Sequence, residues 1–469
     1  MMAMKEKKFD ALLRKALYLS PHALQKSIGF VYLHCYLPLR LGLIEYLRFY
    51  NLLERSQWWP RWKIEQYQMG KLKQLLRYAY NNIPYYTELF RKLNIKPDDF
   101  NSIHDLKKLP VLGKEDIVDN FDKLVSRRIK KGNLKLVTTS GSTGKVMEFY
   151  QHVLGFDYID YAFSRRCHSW ANVKLDDRHV QLWSRPFIEG KINALYLYHP
   201  LANSLSLSTV PLSSSILSQY IELIRKFNPI FIIGNPSILY NLACYAQENS
   251  VNYLKFRSFI SLFENLLPHQ REQIENQFKC QLYNRYSSME RVISAMECSK
   301  HEGMHIEMER GILEILDDKG KVLPEGDTGR LVATGLHGYV MPFIRYDTGD
   351  VGSISTKACS CGRGLPLLKS LDGRISETIK YKNKIVYSTT LSVIIWKFTN
   401  IKECQFTQEA EDEIKVNIVK RNDYSEQDSQ ELIKILKEKI GSGLKVNISF
   451  ADHIPRTGMG KFPFIISKI

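Results

Sequence analysis

Three short segments carry residue types able to hold a nucleotide, and a fourth carries soft metal ligands. The first is Thr138-Thr139-Ser140-Gly141-Ser142-Thr143-Gly144-Lys145, directly after the apolar Leu136 and Val137. Its glycines let backbone N–H groups converge, its hydroxyls add donors and its lysine adds charge, so the run can cradle a polyphosphate. The plainer reading is a flexible glycine-serine loop. It lacks Walker A spacing, because Gly144-Lys145 is followed by Val146 and not by Ser or Thr. The second segment is Arg345-Tyr346-Asp347-Thr348-Gly349-Asp350, after the apolar run at 341–344. A carboxylate fixed at a strand end by a Thr-Gly turn can accept both hydroxyls of a ribose, or it can merely cap the turn. The third is Pro455-Arg456-Thr457-Gly458-Met459-Gly460-Lys461, a glycine-bearing loop ending in a lysine, which alone says little.

The fourth segment comes from the cysteines. Eight are present, and Cys35, Cys167, Cys244, Cys280 and Cys404 stand alone, as small buried hydrophobes do. That is too sparse for a disulfide framework. Cys359 and Cys361 sit one residue apart in a turn sequence, with Cys298 and His305 upstream in another short polar segment. Together these four supply the ligands of a closed tetrahedral zinc site, with His301 a competitor on spacing.

The elements that must position these residues change character along the chain. Residues 62–117 read as helices, with Tyr67, Leu72, Leu75, Leu76 and Tyr78 at near-helical spacing before the breaker Asn81-Asn82-Ile83-Pro84. From residue 134 onward, short apolar runs at 180–183, 230–233, 259–263 and 281–286 end in polar or glycine-bearing turns and alternate with helical stretches. That alternation predicts α/β layers with buried strands. Residues 311–316 and 329–334 predict an antiparallel hairpin. Beyond Asp372-Gly373-Arg374 the tail predicts a small α+β domain: strands at 405–409 and 413–419, a helix with Ser425 and Asp428 at capping-box spacing and closed by Gly441, and a last strand at 444–450. The fold expected is therefore α/β, with a large multi-layer domain over 1–375, mainly helical up to 130, and a small α+β domain over 376–469.

Composition bounds the remaining choices. The chain has 469 residues, 44% hydrophobic and 25% charged, which excludes wholesale disorder and a collagen-like chain. Its 66 basic against 49 acidic residues leave a formal charge of +17, so it attracts polyanions: nucleotides, nucleic acid or an anionic membrane face. No RNA- or DNA-binding signature accompanies that charge and the basic residues are dispersed, so no nucleic-acid partner is expected. The most apolar early stretch, 29–44, is broken by His34, Pro38 and Arg40 and is too short to span a bilayer. With no secretory signal pattern before it, the expectation is a cytoplasmic protein, with peripheral membrane contact through that stretch as an open alternative.

Taken in order, the segments form a series: a Ser/Thr-Gly-rich loop ending in lysine, Tyr286-Ser287-Ser288-Met289-Glu290, Tyr346-x-Thr348-Gly349-Asp350, Gly373-Arg374, and the Pro455 to Lys461 loop. In this the chain resembles the adenylate-forming enzymes over nearly its full length. The match is closest to the phenylacetate–CoA ligase-like branch, including its members from capsular and O-antigen polysaccharide clusters. The segments that point there are Asn82-Ile83-Pro84-Tyr85-Tyr86, Leu109-Pro110-Val111-Leu112-Gly113-Lys114, Gly234-Asn235-Pro236-Ser237 and Cys359-x-Cys361-Gly362-Arg363.

The resemblance implies an ATP-dependent, AMP-producing acid ligase. Thr139, Ser140, Gly141, Ser142, Thr143, Gly144 and Lys145 would bind the ATP phosphates, Glu290 would hold Mg²⁺, Tyr286 would lie at the nucleotide, and Asp350 with Arg374 would bind the ribose. Lys461 would bridge the substrate carboxylate and the nucleotide from a lid hinged near Ser376. Cys298, His305, Cys359 and Cys361 would hold a structural Zn²⁺. The partners implied are a small carboxylic acid and an acyl acceptor, either coenzyme A or an amine or hydroxyl. The alternative is a basic non-catalytic homologue that binds nucleotide, RNA or an anionic membrane. One departure stands out: the family pattern Tyr-Gly-x-Ser/Thr-Glu has Ser287 for the glycine and Met289 for the hydroxyl. Losing one hydrogen bond to a charged group costs about 1.5–3 kcal/mol, enough to slow adenylation, and Ser288 offers a substitute hydroxyl.

Overall fold

The computed structural model describes residues 42–138, 147–152, 158–183, 187–189, 192–199, 202–208, 213–374, 378–382, 384–398, 400–421, 423–455 and 463–469. The fold is mixed α/β. The chain divides into two compact units, the first built from 1–56, 156–262 and 273–283 and the second from 57–155, 263–272 and 284–469.

In the first unit the expected apolar runs are strands. His179–Trp183 pairs in parallel with Ser204–Ser208 on one side and Phe231–Gly234 on the other, and Phe231–Gly234 pairs in parallel with Ser258–Ser261. Parallel neighbours require crossovers; the helix Ser214–Phe227 connects Ser204–Ser208 to Phe231–Gly234, and Pro236–Glu248 connects Phe231–Gly234 to Ser258–Ser261. The first helix is amphipathic by spacing: Leu217, Tyr220, Ile221 and Ile224 form its buried face. It starts on Ser213, whose hydroxyl accepts from the Ile216 N–H, and stops at Asn228 in the left-handed conformation. The second starts with Pro236 in its first turn, where the missing N–H has no helical role.

The second unit is antiparallel where it carries the candidate chemistry. Gly311–Leu316 pairs with Thr328–Gly335 as the expected hairpin, which continues through Tyr346–Ile354 and Leu367–Arg374 to Met304–Ile306, Ser294–Glu297 and the end of Gln281–Ser287. Ahead of the sheet in sequence, the helical stretch expected at 62–117 resolves into Arg61–Asn82 and Pro84–Lys92, then only short helical turns as far as Lys114–Asp119. Ile83 and Pro84 separate the first two helices, as the breaker requires.

Residues 378–468 share an apolar core of their own, including Ile379, Leu391, Phe406, Ile414, Val416, Leu432 and Leu436. Ile401–Ala410 and Glu413–Lys420 pair antiparallel, and Lys445–Phe450 adds in parallel to the second of them. Ser425 and Asp428 form the capping box at the start of Glu426–Ile440. Three elements were not legible in the sequence: the hairpin Thr378–Tyr381/Lys384–Tyr387, the helix Ser388–Trp396, and a final strand, Ile465–Ser467, parallel to Ile401–Ala410. Gly441 does end the helix, but in extended backbone (φ 167) and not as a left-handed cap. Its role is close approach: a Cβ there would lie 2.1 Å from the Tyr381 ring. Among the described residues, no helix is long and apolar enough to cross a membrane.

Candidate active site and metal centre

Asp350 lies on the strand Tyr346–Ile354, directly across from Arg374 on Leu367–Arg374. The Thr-Gly turn before it is tied down locally. The Thr348 hydroxyl donates to the Leu331 carbonyl at 2.9 Å and accepts from the Asp350 N–H at 3.2 Å, while the Gly349 N–H donates to Asp347 Oδ1 at 2.9 Å. Arg374 Nε then meets Asp350 Oδ1 at 3.2 Å, and the Tyr286 hydroxyl donates to Oδ2 at 2.8 Å. Burial, together with the Asp350 carboxylate, pushes the Tyr286 phenol well above its ordinary value, so it stays a donor. The carboxylate is thus held by one cation and one phenol, and each oxygen keeps a lone pair for a further donor.

Glu290 occupies the turn after Gln281–Ser287, and its Oε1 accepts from the Tyr346 hydroxyl at 2.9 Å. Tyr346 is fully buried, and burial followed by the neighbouring Glu290 raises its phenol so that it too remains protonated. The same turn receives Gln151, whose Nε2 donates to the Met289 carbonyl at 2.7 Å. Gln151 belongs to the hairpin Leu134–Thr138/Glu148–His152, the two strands that flank the glycine-rich loop. The stem of the candidate phosphate loop is therefore tied to the turn that carries Glu290. Met289 points its side chain outward, 52% exposed, whereas Ser288 Oγ is buried with no hydrogen-bond partner among the described residues. Thr139, Ser140, Gly141, Ser142, Thr143, Gly144, Lys145 and Lys461 lie outside the described residues, as does Ser376.

The four soft ligands converge. Cys298 follows the strand Ser294–Glu297, His305 sits in Met304–Ile306, and Cys359 and Cys361 occupy the turn before Leu367–Arg374. Their ligand atoms all lie within 4.8 Å of one another. Cys298 Sγ is 3.7 Å from Cys359 Sγ, and Cys361 Sγ is 3.3 Å from His305 Nε2. Metal–ligand bonds of about 2.3 Å to sulfur and 2.0 Å to nitrogen give tetrahedral edges of about 3.8 and 3.5 Å, so the set is sized for zinc. His305 Nδ1 lies 3.2 Å from the Leu365 carbonyl, which fixes Nε2 as the nitrogen facing the thiols. Burial raises the Cys298 and Cys359 thiols, so a cation entering the cluster displaces protons.

His301 is not among the converging ligands. Its Nδ1 meets Glu297 Oε2 at 3.0 Å, and Arg271 Nη2 donates to both oxygens of the same carboxylate at 2.8 and 2.7 Å. Burial alone would raise the Glu297 carboxyl; His301, Arg271 and the Asn284 N–H outweigh it and hold it below the ordinary carboxylate range. The ligand turn is also clasped from outside. Glu302 accepts from the Ser360 N–H and hydroxyl at 2.8 and 2.7 Å, and Arg363 Nε donates to Gln57 Oε1 at 2.9 Å. A Cβ on Gly364 would lie 1.8 Å from the Trp59 carbonyl, so only glycine permits that approach.

The contacts Tyr346–Glu290, Gln151–Met289 and Arg363–Gln57 have no signal in the local sequence, since they join residues 56, 138 and 306 positions apart. The CapK C-terminal domain profile matches residues 378–468. Protein CapK of Staphylococcus aureus is 27% identical, over 86% of this chain and 89% of that protein. The phenylacetate–coenzyme A ligase of Pseudomonas putida is 28% identical, over 72% of this chain and 77% of the ligase. Among solved structures, 2-hydroxyisobutyryl-CoA ligase in its post-adenylation state superposes with a TM-score of 0.72 at 17% identity, covering 88% of this chain and 92% of that one. The chain is accordingly a relative of CapK and the phenylacetate–coenzyme A ligases, with the fold of the adenylate-forming CoA ligases.

Proposed function

We propose that the protein activates a carboxylic acid with ATP, releases pyrophosphate, and passes the acyl group from the acyl-adenylate to coenzyme A or to an amine or hydroxyl acceptor. The observation that carries this reading is the pair of carboxylates, Asp350 and Glu290, each held by a buried phenol, with the stem of the glycine-rich loop tied to the Glu290 turn. In this reading Asp350 and Arg374 orient the ribose, and the glycine-rich loop binds the β- and γ-phosphates. A carboxylate oxygen of the substrate then bonds to the α-phosphorus as the bond from that phosphorus to the bridging oxygen breaks, and pyrophosphate leaves with the electron pair. Lys461 neutralises charge on the reacting oxygens. Magnesium, when bound at Glu290, supplies Lewis-acid stabilisation of the same charge.

Residues 376–469 serve as the lid that carries Lys461, a role supported by their separate apolar core and by the CapK C-terminal domain match. Lid rotation after adenylation would withdraw Lys461 and admit the acceptor. Zinc fits the cluster Cys298, His305, Cys359 and Cys361 by donor type and by spacing; with four protein ligands it is a staple between two loops and leaves no open position for catalysis. Surface polysaccharide assembly, with transient contact at a membrane face, is the setting the resemblance favours.

The reading is tested by acid-dependent exchange of labelled pyrophosphate into ATP across a panel of carboxylic acids. Exchange by the wild type and its loss in Lys461→Ala are expected. Undiminished exchange in Lys461→Ala refutes the lysine assignment, and release of ADP in place of AMP refutes adenylation.

A further inference from the structure

Glu290 is set in an unusual backbone environment. Arg291, immediately after it, has φ +58, and Arg345, immediately before its partner Tyr346, has φ +53. Both are non-glycine residues in the left-handed region, which persists only where the surroundings over-determine it. For Arg345 they do. Its guanidinium meets Glu314 through Nε and Nη2, both at 3.0 Å, and donates through Nη1 to the Leu109 carbonyl at 2.6 Å. Its N–H donates to Thr334 Oγ1 at 2.9 Å and its carbonyl accepts from the Leu112 N–H at 2.8 Å. The side chain is 4% exposed. On the other side, the Arg291 N–H donates to the Ser288 carbonyl at 3.2 Å and closes the turn that presents Glu290. The Tyr346 ring is pinned against Phe343 with centroids 5.2 Å apart, and Phe343 packs in turn on Phe149 at 5.5 Å, so the phenol has little freedom to swing away.

Two strained residues and a packed aromatic row thus flank the hydrogen bond from the Tyr346 hydroxyl to Glu290 Oε1 at 2.9 Å, with Met147 Sδ 3.9 Å from the same hydroxyl. We propose that Tyr346 is a positioning residue for the divalent cation of the nucleotide: its phenol fixes the Glu290 carboxylate with Oε1 engaged and Oε2 presented to the metal. The inference rests on the reading of Glu290 as the cation carboxylate and adds to it the device that orients that carboxylate. A glutamate on a turn has three rotatable side-chain bonds. Holding one oxygen lowers the entropy lost when the other binds a cation, so the benefit falls on metal affinity and not on chain stability.

Mn²⁺ serves as the probe, titrated by electron paramagnetic resonance into the full-length protein saturated with a non-hydrolysable ATP analogue. Tyr346→Phe, which keeps the ring packing, is expected to weaken Mn²⁺ binding about tenfold with an unchanged melting temperature. Glu290→Gln is expected to weaken it further, and adding Tyr346→Phe to Glu290→Gln should change nothing more, since the phenol acts through that carboxylate. Wild-type Mn²⁺ affinity in Tyr346→Phe, alongside a loss in Glu290→Gln, overturns the positioning role. Wild-type affinity in Glu290→Gln overturns the reading of Glu290 itself. If Tyr346→Phe proves less stable, the same substitution carries that defect into the Glu290→Gln background, and any further loss of Mn²⁺ affinity on adding it there again overturns the proposal.

Discussion

The thiol–imidazole cluster proposed to hold zinc and the carboxylate end of the same antiparallel sheet are built on opposite principles. In the cluster, Cys298, Cys359 and Cys361 from turns and His305 from the strand Met304–Ile306 turn inward until their ligand atoms lie within 4.8 Å, and outer contacts such as Glu302–Ser360 and Arg363–Gln57 hold the turn. At the carboxylate end, Asp350 and Glu290 are each fixed by a phenol but retain lone pairs. Convergence with no remaining valence is what a structural staple needs. Fixed groups with capacity to spare are what a binding site needs. The difference says that disturbing the first region should cost stability, and disturbing the second should cost chemistry.

The largest expected effect is at the staple. Cys359→Ser, or removal of metal by a chelator, should abolish a stoichiometry of about one zinc per chain and lower stability by on the order of 3 kcal/mol or more, read from metal analysis and thermal melting. Metal-free protein melting like the wild type would break the comparison on that side. Next in size is Asp350→Asn. Removing the charge that faces Arg374, and in the proposed reading the ribose, should lower acid-dependent pyrophosphate exchange about a hundredfold with little change in melting.

The smallest effect sharpens the border between the regions. His301→Ala should retain zinc, because His301 bonds Glu297, while His305→Ala should lose it. The loss in His301→Ala should be about 1–2 kcal/mol of stability. It should also depend on pH with a definite sign. Glu297 is held below its ordinary value in the folded chain, so its contribution is present above the unfolded carboxylate value, near 4.5, and fades as pH falls toward the folded value. Urea melts of wild type and His301→Ala at several pH values should therefore converge on acidification.

Much of this was legible in the sequence, for physical reasons that vary with the residue. The Cys-x-Cys turn pointed to a cluster of ligand atoms because thiols that share one cation must converge, and His301 could be set aside only once its ring was found on Glu297. Asp350 and Arg374 are motif residues, but their contact depends on a strand register that shifts before Gly352 and again after Ser353. The role of Tyr346 was hidden because the left-handed turn at Arg345 is imposed by Glu314, Leu109, Thr334 and Leu112, none of them adjacent in sequence. The helix Ser388–Trp396 escaped because its run of Val393, Ile394 and Ile395 reads as strand, and Ile465–Ser467 because three residues carry no period.

The most direct test of the division of labour is pyrophosphate exchange per mole of folded protein, measured side by side in Asp350→Asn and Cys359→Ser with melting curves for both. The expected result is lost exchange with intact melting in Asp350→Asn, and depressed melting with exchange retained in the folded fraction of Cys359→Ser. Exchange undiminished in Asp350→Asn would contradict the account.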